Sequence, residues 1–141
     1  MRCTIYSPVV DHQAIQSVRS VLPGWLLHWE GGPEQWSSAS FKSAQGTLTF
    51  NSLEFTGQMD QFGKIILGTS SYFWRREDLP RSAKTELIRF VGGTKWLVGV
   101  VGTSEVLSEE VFLKAALDVA RRLNARVFVN GTDLISPEPQ A

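Results

Sequence analysis

Two histidines and a few nearby carboxylates are the residues of this chain that could carry acid–base chemistry. Glu30 lies two positions after His28, and Asp11 directly precedes His12. An imidazole beside a carboxylate can transfer protons near neutral pH. A small enzyme using His28 with Glu30 and Asp60, or His12 with Asp11, is therefore the alternative function. Nothing in the sequence brings Asp60 near the others, and we predict an outward-facing His28 and a solvated His12.

Other local signals for catalysis or cofactor binding are missing. The sequence has no phosphate loop, dinucleotide glycine fingerprint, zinc-protease motif or serine-hydrolase elbow. Residues 92–95 look like the end of a phosphate loop, but they follow a predicted helix and precede a predicted strand, which is the reverse order. The single cysteine, Cys3, excludes an internal disulfide and a cysteine-built zinc site, and we predict that it is a small buried hydrophobic residue. We therefore predict no catalytic residue, no cofactor and no metal.

Aromatic residues give the best candidate for a binding surface, since this chain of 141 residues has five tryptophans. Trp25 and Trp96 lie in predicted strands and are expected in the core. Trp36 and Trp74 border polar segments, where a tryptophan often marks a binding surface, although each could instead cover an edge of the core. Aromatic and cationic neighbours surround Trp74 and suit an anionic or protein partner. The predicted binding residues are Trp36, Tyr72, Trp74, Arg75 and Arg76.

The charge balance limits the class of partner. Lysine and arginine number 14, and aspartate and glutamate also number 14, so the formal net charge is zero. Nucleic-acid binders usually carry a basic excess or a basic stripe. Arg75 and Arg76 are followed directly by Glu77 and Asp78, so this pair of cations is neutralised locally. We predict a protein partner or a small ligand and no nucleic acid, and neutrality also allows a homodimer.

The apolar segments indicate the compartment. No apolar run approaches the ~18 residues of a membrane span, and the first residues lack the apolar core of a signal peptide. The sequence therefore predicts no membrane association and a cytoplasmic location.

The segment from Lys95 to Val129 is expected to organise the fold. Residues 96–101 are nearly all apolar and favour a strand buried on both faces. Ser108 can cap a following helix whose apolar residues recur at helical spacing up to Leu123, and Asn124 suits a left-handed cap. A further strand, residues 125–129, completes a strand-helix-strand unit.

The remaining segments predict more strands and helices. We expect strands at residues 3–6 and 25–29, an edge strand or excursion at 37–43, and a strand from Gly46 with a bulge or a bend at Asn51 and Ser52, where the apolar phase changes. Helices are expected up to Leu22 and from Ser82 to Val91. Residues 58–74 fit a helix better than a strand at 64–68, although two glycines weaken the helix.

Together these elements predict an α+β protein. The expected architecture is a mostly antiparallel sheet with helices on one face, of the split βαβ or ferredoxin-like type, with an inserted hairpin and extra helices. Residues 1–135 would form a single domain and residues 136–141 a flexible tail.

The end of the chain resembles the ends of many small bacterial proteins of no assigned role. The likeness covers residues 117–129, with Gly131 and Leu134 after them, where an alanine-rich helix leads into a last strand and a polar turn. It carries no functional residue. The function predicted from the sequence is a non-catalytic binding or accessory protein of the bacterial cytoplasm that acts through an aromatic-rich surface.

Overall fold

Within the described residues, seven strands form one antiparallel sheet, so the α+β prediction is confirmed. The computed structural model describes residues 1–44, 46–55, 60–103 and 107–137. The strand order is β2-β3-β4-β5-β1-β6-β7, and all neighbouring strands are antiparallel. The strands are β1 (Arg2–Ser7), β2 (Leu26–Gly32), β3 (Gln35–Ser43), β4 (Gly46–Glu54), β5 (Trp96–Thr103), β6 (Arg126–Val129) and β7 (Asp133–Ile135).

One face of the sheet carries the larger core. It is covered by a 3-10 segment (His12–Ser17), by the short helix α1 (Val18–Val21) that continues it, and by α4 (Glu109–Leu123). Phe112 and Val119 of α4 are buried in the same cluster as Ile5, Val98 and Val100 of the sheet. This is the packing that the apolar spacing of residues 96–123 predicts.

The caps of α4 also follow the sequence. The Ser108 hydroxyl accepts a hydrogen bond from the Val111 amide at 3.1 Å, and Asn124 ends the helix in the left-handed conformation with φ 52°. The strand that follows begins at Arg126. β5 and β6 lie on either side of β1 and are both antiparallel to it, so α4 connects two parallel strands that are separated by a third.

Two further helices cover part of the opposite face, so the prediction of helices on one face only is wrong. They are α2 (Gln61–Arg75) and α3 (Arg81–Gly92). Tyr6 and Leu97 of the sheet are buried beneath them with Phe62, Phe73 and Val91. The physical reason is that successive residues of a strand point to opposite faces. β1 and β5 have apolar residues in both phases, and two such faces both require a cover.

The two covered faces also explain why the register of β4 is continuous through Asn51 and Ser52, where a bulge or a bend was predicted. Its register with β5 is continuous from Thr47 opposite Thr103 to Glu54 opposite Trp96. Leu48 and Phe50 pack into the larger core, whereas Leu53 packs against the smaller one. The change of apolar phase therefore marks a change of buried face along a regular strand.

The polar strand β3 is an interior strand, and the prediction of an edge strand is wrong. It pairs with β2 on one side and β4 on the other, and β2 forms the edge. The irregularity of the sheet lies between Glu30 and Gly31 of β2, where the register with β3 shifts. Gly31 has φ 103° there, and a Cβ at that position would meet the Gln35 carbonyl oxygen at 2.7 Å.

The helix predicted for residues 58–74 is confirmed over its described part. α2 begins after Asp60, whose carboxylate accepts a hydrogen bond from the Gly63 amide at 3.3 Å. Gln58 and Met59 lie outside the described residues. Of the predicted flexible tail, residues 138–141 also lie outside them. None of the helices in the described part of the chain has both the length and the hydropathy needed to cross a bilayer.

Candidate binding groove

Helix α2 presents apolar residues on its solvent side as well as on its sheet side. Towards the sheet it buries Phe62, Thr69 and Phe73, and the Thr69 hydroxyl is 2.6 Å from the Tyr6 hydroxyl. On the other side, Leu67 and Trp74 are 59% and 57% exposed. Because seven residues make nearly two helical turns, these two side chains lie on the same side of α2.

A groove of about 710 Å³ runs between α2 and α3 on this solvent side. Small side chains from the middle of α2 leave the space open, and Trp74 forms part of its wall. Ile88 contributes an apolar surface from α3, where it also packs against the smaller core. The lining residues are Ser70, Ser71, Trp74, Arg75, Thr85, Ile88 and Arg89.

The groove is cationic. Arg75 and Arg89 line it, and among the described residues that line it there is no carboxylate. The Arg75 guanidinium donates a hydrogen bond to the Ser71 carbonyl at 3.3 Å. Glu86 of α3 instead forms an ion pair with Arg126 of β6, and the hydrogen bond from Arg126 lowers the pKa of the Glu86 carboxyl. Glu86 therefore stays charged and pairs with Arg126 of the sheet, and the positive charge of Arg89 also lowers its pKa.

The structure divides the predicted aromatic–cationic patch into two parts. Trp74 and Arg75 line the groove, whereas Tyr72 and Arg76 contact the turn between β6 and β7. The Tyr72 hydroxyl and the Arg76 guanidinium both donate hydrogen bonds to the Thr132 carbonyl, at 3.3 and 2.9 Å. These two residues therefore hold α2 against the sheet.

The Arg76 guanidinium has its own carboxylate partners. It pairs with Asp78 and, at 3.4 Å, with Asp133, and it lies 5.9 Å from the centre of the Tyr72 ring. The hydrogen bond from Arg76 lowers the pKa of the Asp78 carboxyl. The local neutralisation that the sequence indicates thus applies to Arg76, while Arg75 is directed into the groove.

Trp36 is a core residue, so its prediction as a surface residue is wrong. It is 1% exposed, and its indole N–H donates a hydrogen bond to the His12 carbonyl at 2.8 Å. The His12 ring lies 5.0 Å from the Trp36 ring and 4.9 Å from the Trp96 ring. His12 is only 6% exposed, which also makes the prediction of a solvated His12 wrong. The two indoles cover the imidazole from the sheet side.

The structure does not support the acid–base alternative with a cluster of the side chains that it requires. His28 is exposed on the edge strand, as predicted, and Glu30 is exposed on the same strand. Asp60 caps α2 instead. The described residues include no group of three histidine, cysteine, aspartate or glutamate side chains placed to hold a metal ion. Cys3 is buried, as predicted, and burial raises the pKa of its thiol to about 12, which opposes formation of a nucleophilic thiolate.

Comparison with known proteins gives no significant match to a protein-family model, a curated protein or a solved structure. The site therefore has to be interpreted from its own geometry.

Several groove residues have no signal of their own in the sequence. Ser70, Ser71 and Thr85 are ordinary helix-surface residues, and they matter only because α2 and α3 lie side by side. The spacing of Leu67 and Trp74 is the one feature that points to the site. Both lie off the buried stripe of α2, on one side of the helix.

Proposed function

We propose that this protein is a non-catalytic binding or accessory protein of the bacterial cytoplasm that docks a protein partner on the α2–α3 groove. The observation that carries the proposal is the 57% exposure of Trp74 at the wall of that groove. A large aromatic side chain left exposed at the wall of a cleft is typical of an interaction site. Exposed Leu67, two turns away, supports a surface longer than the groove itself.

The length of the exposed stripe favours a protein over a small ligand. Leu67 and Trp74 are seven residues apart on α2, which corresponds to about 10 Å along the helix axis. A ligand that covers both must span this distance over an open surface. A segment of a folded protein does so readily, whereas small ligands usually occupy more enclosed pockets.

We also propose that the scaffold is of the split βαβ, ferredoxin-like type. Three features support this assignment: β1 lies between the two strands that α4 connects, β4 lies on the far side of β5, and α1 and α4 share one face. The hairpin β2–β3 and the pair α2–α3 are then insertions into this core. The proposed binding groove belongs entirely to the inserted helices.

The proposal is tested by comparing partner capture by matched variants. The wild type, a Trp74→Ala/Arg75→Ala variant and a His28→Ala control are each immobilised and exposed to a lysate of the source cell. We expect a protein that the wild type and the control retain and the groove variant loses, since His28 is exposed away from the groove. The captured protein is then purified and titrated against all three by calorimetry.

The decisive result is the change in affinity measured with the purified partner. We expect about a hundredfold loss for the double variant, which removes an aromatic anchor and a cation. Thermal unfolding of both variants should stay near the wild-type midpoint. A partner that binds the groove variant as tightly as the wild type would overturn the proposal.

A further inference from the structure

We infer that the α2–α3 groove accepts an acidic amphipathic helix of the partner protein. The inference rests on the proposed function and adds the chemistry of the partner to it. Three properties of the groove carry it: the shape left by two neighbouring helices, an apolar side chain from each helix in its walls (Trp74 and Ile88), and two arginines with no carboxylate among the described lining residues.

The shape suits a third helix. α2 and α3 are joined by residues 76–80 and pack side by side, with the serines at 70 and 71 between the larger Leu67 and Trp74. Small residues between large ones leave a depression into which a facing side chain can insert. An amphipathic helix that lies in such a groove presents apolar residues at positions i, i+3, i+4 and i+7. The seven-residue interval between Leu67 and Trp74 matches this repeat.

The charge selects an acidic helix. Arg75 lies on the α2 side of the groove and Arg89 on the α3 side. Neither forms a salt bridge with a carboxylate within the part of the chain that the structure describes. A helix with aspartate or glutamate flanking its apolar stripe would pair with both arginines as water is displaced, which strengthens such pairs. A basic helix would bring like charges together.

The test uses three labelled peptides with one apolar pattern and different flanking charges. Each is an amphipathic helix of about 16 residues, long enough to cover α2, with glutamate, lysine or glutamine beside the same leucines. Fluorescence anisotropy with the full chain measures their affinities. We expect the acidic peptide to bind at least about tenfold more tightly than the basic one, and the difference to shrink as salt screens the charges.

Four variants connect the preference to the groove. Arg75→Ala/Arg89→Ala should remove the preference for the acidic peptide, and Arg75→Glu/Arg89→Glu should reverse it. Thr85→Trp should fill the groove and weaken all three peptides, because Thr85 is an exposed lining residue. Arg2→Ala/Arg19→Ala is the matched control: it removes the same charge from two exposed arginines outside the groove and should leave the preference intact.

Several outcomes would overturn the inference. The acidic and basic peptides could bind equally well, or the preference could survive Arg75→Ala/Arg89→Ala. All three peptides could fail to bind, or a single-stranded oligonucleotide could compete for the same residues. A dimer of this chain that Trp74→Ala dissociates in sedimentation would assign the groove to a second copy. If capture still yields a Trp74-dependent protein partner, only the acidic-helix inference falls; without such a partner, the proposed function falls as well.

Discussion

Two tryptophans of this chain have opposite environments although their sequence contexts are similar. Trp36 and Trp74 both border polar segments, yet Trp36 is 1% and Trp74 is 57% exposed. The difference follows from the partners of the indole. The N–H of Trp36 reaches the His12 carbonyl inside the larger core, while Trp74 extends from the solvent side of α2. The first should therefore matter for stability and the second for binding.

This assignment predicts different effects of the same substitution at the two positions. Trp36→Phe removes a buried hydrogen bond and part of the ring volume, so it should lower the free energy of unfolding by about 1–3 kcal/mol. Trp74→Phe, the matched control, should stay within about 0.5 kcal/mol of the wild type, as is usual for exposed positions. Urea unfolding followed by circular dichroism measures both. Similar losses for the two variants would contradict the assignment.

Sequence alone could not have separated these tryptophans, and the sheet irregularity explains why. Strict alternation puts Trp36 on the opposite side of β3 from Ala39 and Phe41. The register shift between Glu30 and Gly31 leaves one extra residue in β3, since Glu30 pairs with Ser38 and Gly31 with Trp36. Trp36 therefore joins the core of Ala39 and Phe41. A bulge of this kind depends on pairing with a neighbouring strand, which local residue types do not reveal.

At the scale of elements, two glycines differ in the space around them: one could accept a side chain and the other could not. Gly68 lies within α2 and is exposed, and a Cβ there would meet nothing within 4 Å. Gly102 lies at the end of β5 under α4, where a Cβ would be 2.9 Å from the Phe112 ring and 3.1 Å from the Leu107 side chain. The first glycine weakens its helix, and the second allows a helix to pack closely on its strand.

Alanine at these two positions should therefore change stability in opposite directions. Gly68→Ala should raise the free energy of unfolding by about 0.5–1 kcal/mol, because alanine restricts the unfolded chain and favours the helix. Gly102→Ala should lower it by about 1–3 kcal/mol through overpacking against Phe112. Thermal and urea unfolding of the two variants test this. A stabilised Gly102→Ala variant would mean that α4 can shift away from β5 at little cost.

Elements with a continuous local pattern were predictable from the sequence. The helix α4 follows from its apolar spacing and from cap residues that suit its two ends, the strand β5 follows from its apolar run, and the apolar spacing of residues 58–74 favoured the helix α2 over a strand. The prediction of helices on one face failed although β5 was expected to be buried on both faces, because local sequence does not show which helices cover which face. Tyr6 and Leu97 required a second layer of helices, and only the assembled sheet shows that α2 and α3 supply it.

At the scale of the whole molecule, the binding groove also depends on tertiary packing that the sequence alone does not show. Trp74 and Arg75 were among the predicted binding residues, and the structure puts them on one groove wall. Arg89 and Ile88 come from a different helix, and their proximity depends on how α2 and α3 dock on the sheet. Tyr72 and Arg76 follow the same sequence signal, but neighbouring residues of a helix point in different directions, and these two contact the turn between β6 and β7.

The two helical layers should differ in local stability. α4 buries six residues in the larger core, including Phe112, Val119 and Leu123, whereas α3 buries only Val91. Segments with few buried contacts open at lower free energy than the core does. We expect the amides of α3 to exchange with deuterium at least about tenfold faster than those of α4, measured by mass spectrometry. Equal protection would mean that the two layers open as one unit.

A partner helix in the groove should slow exchange in α2 and α3 and leave α4 unchanged, because only these two helices would gain buried surface.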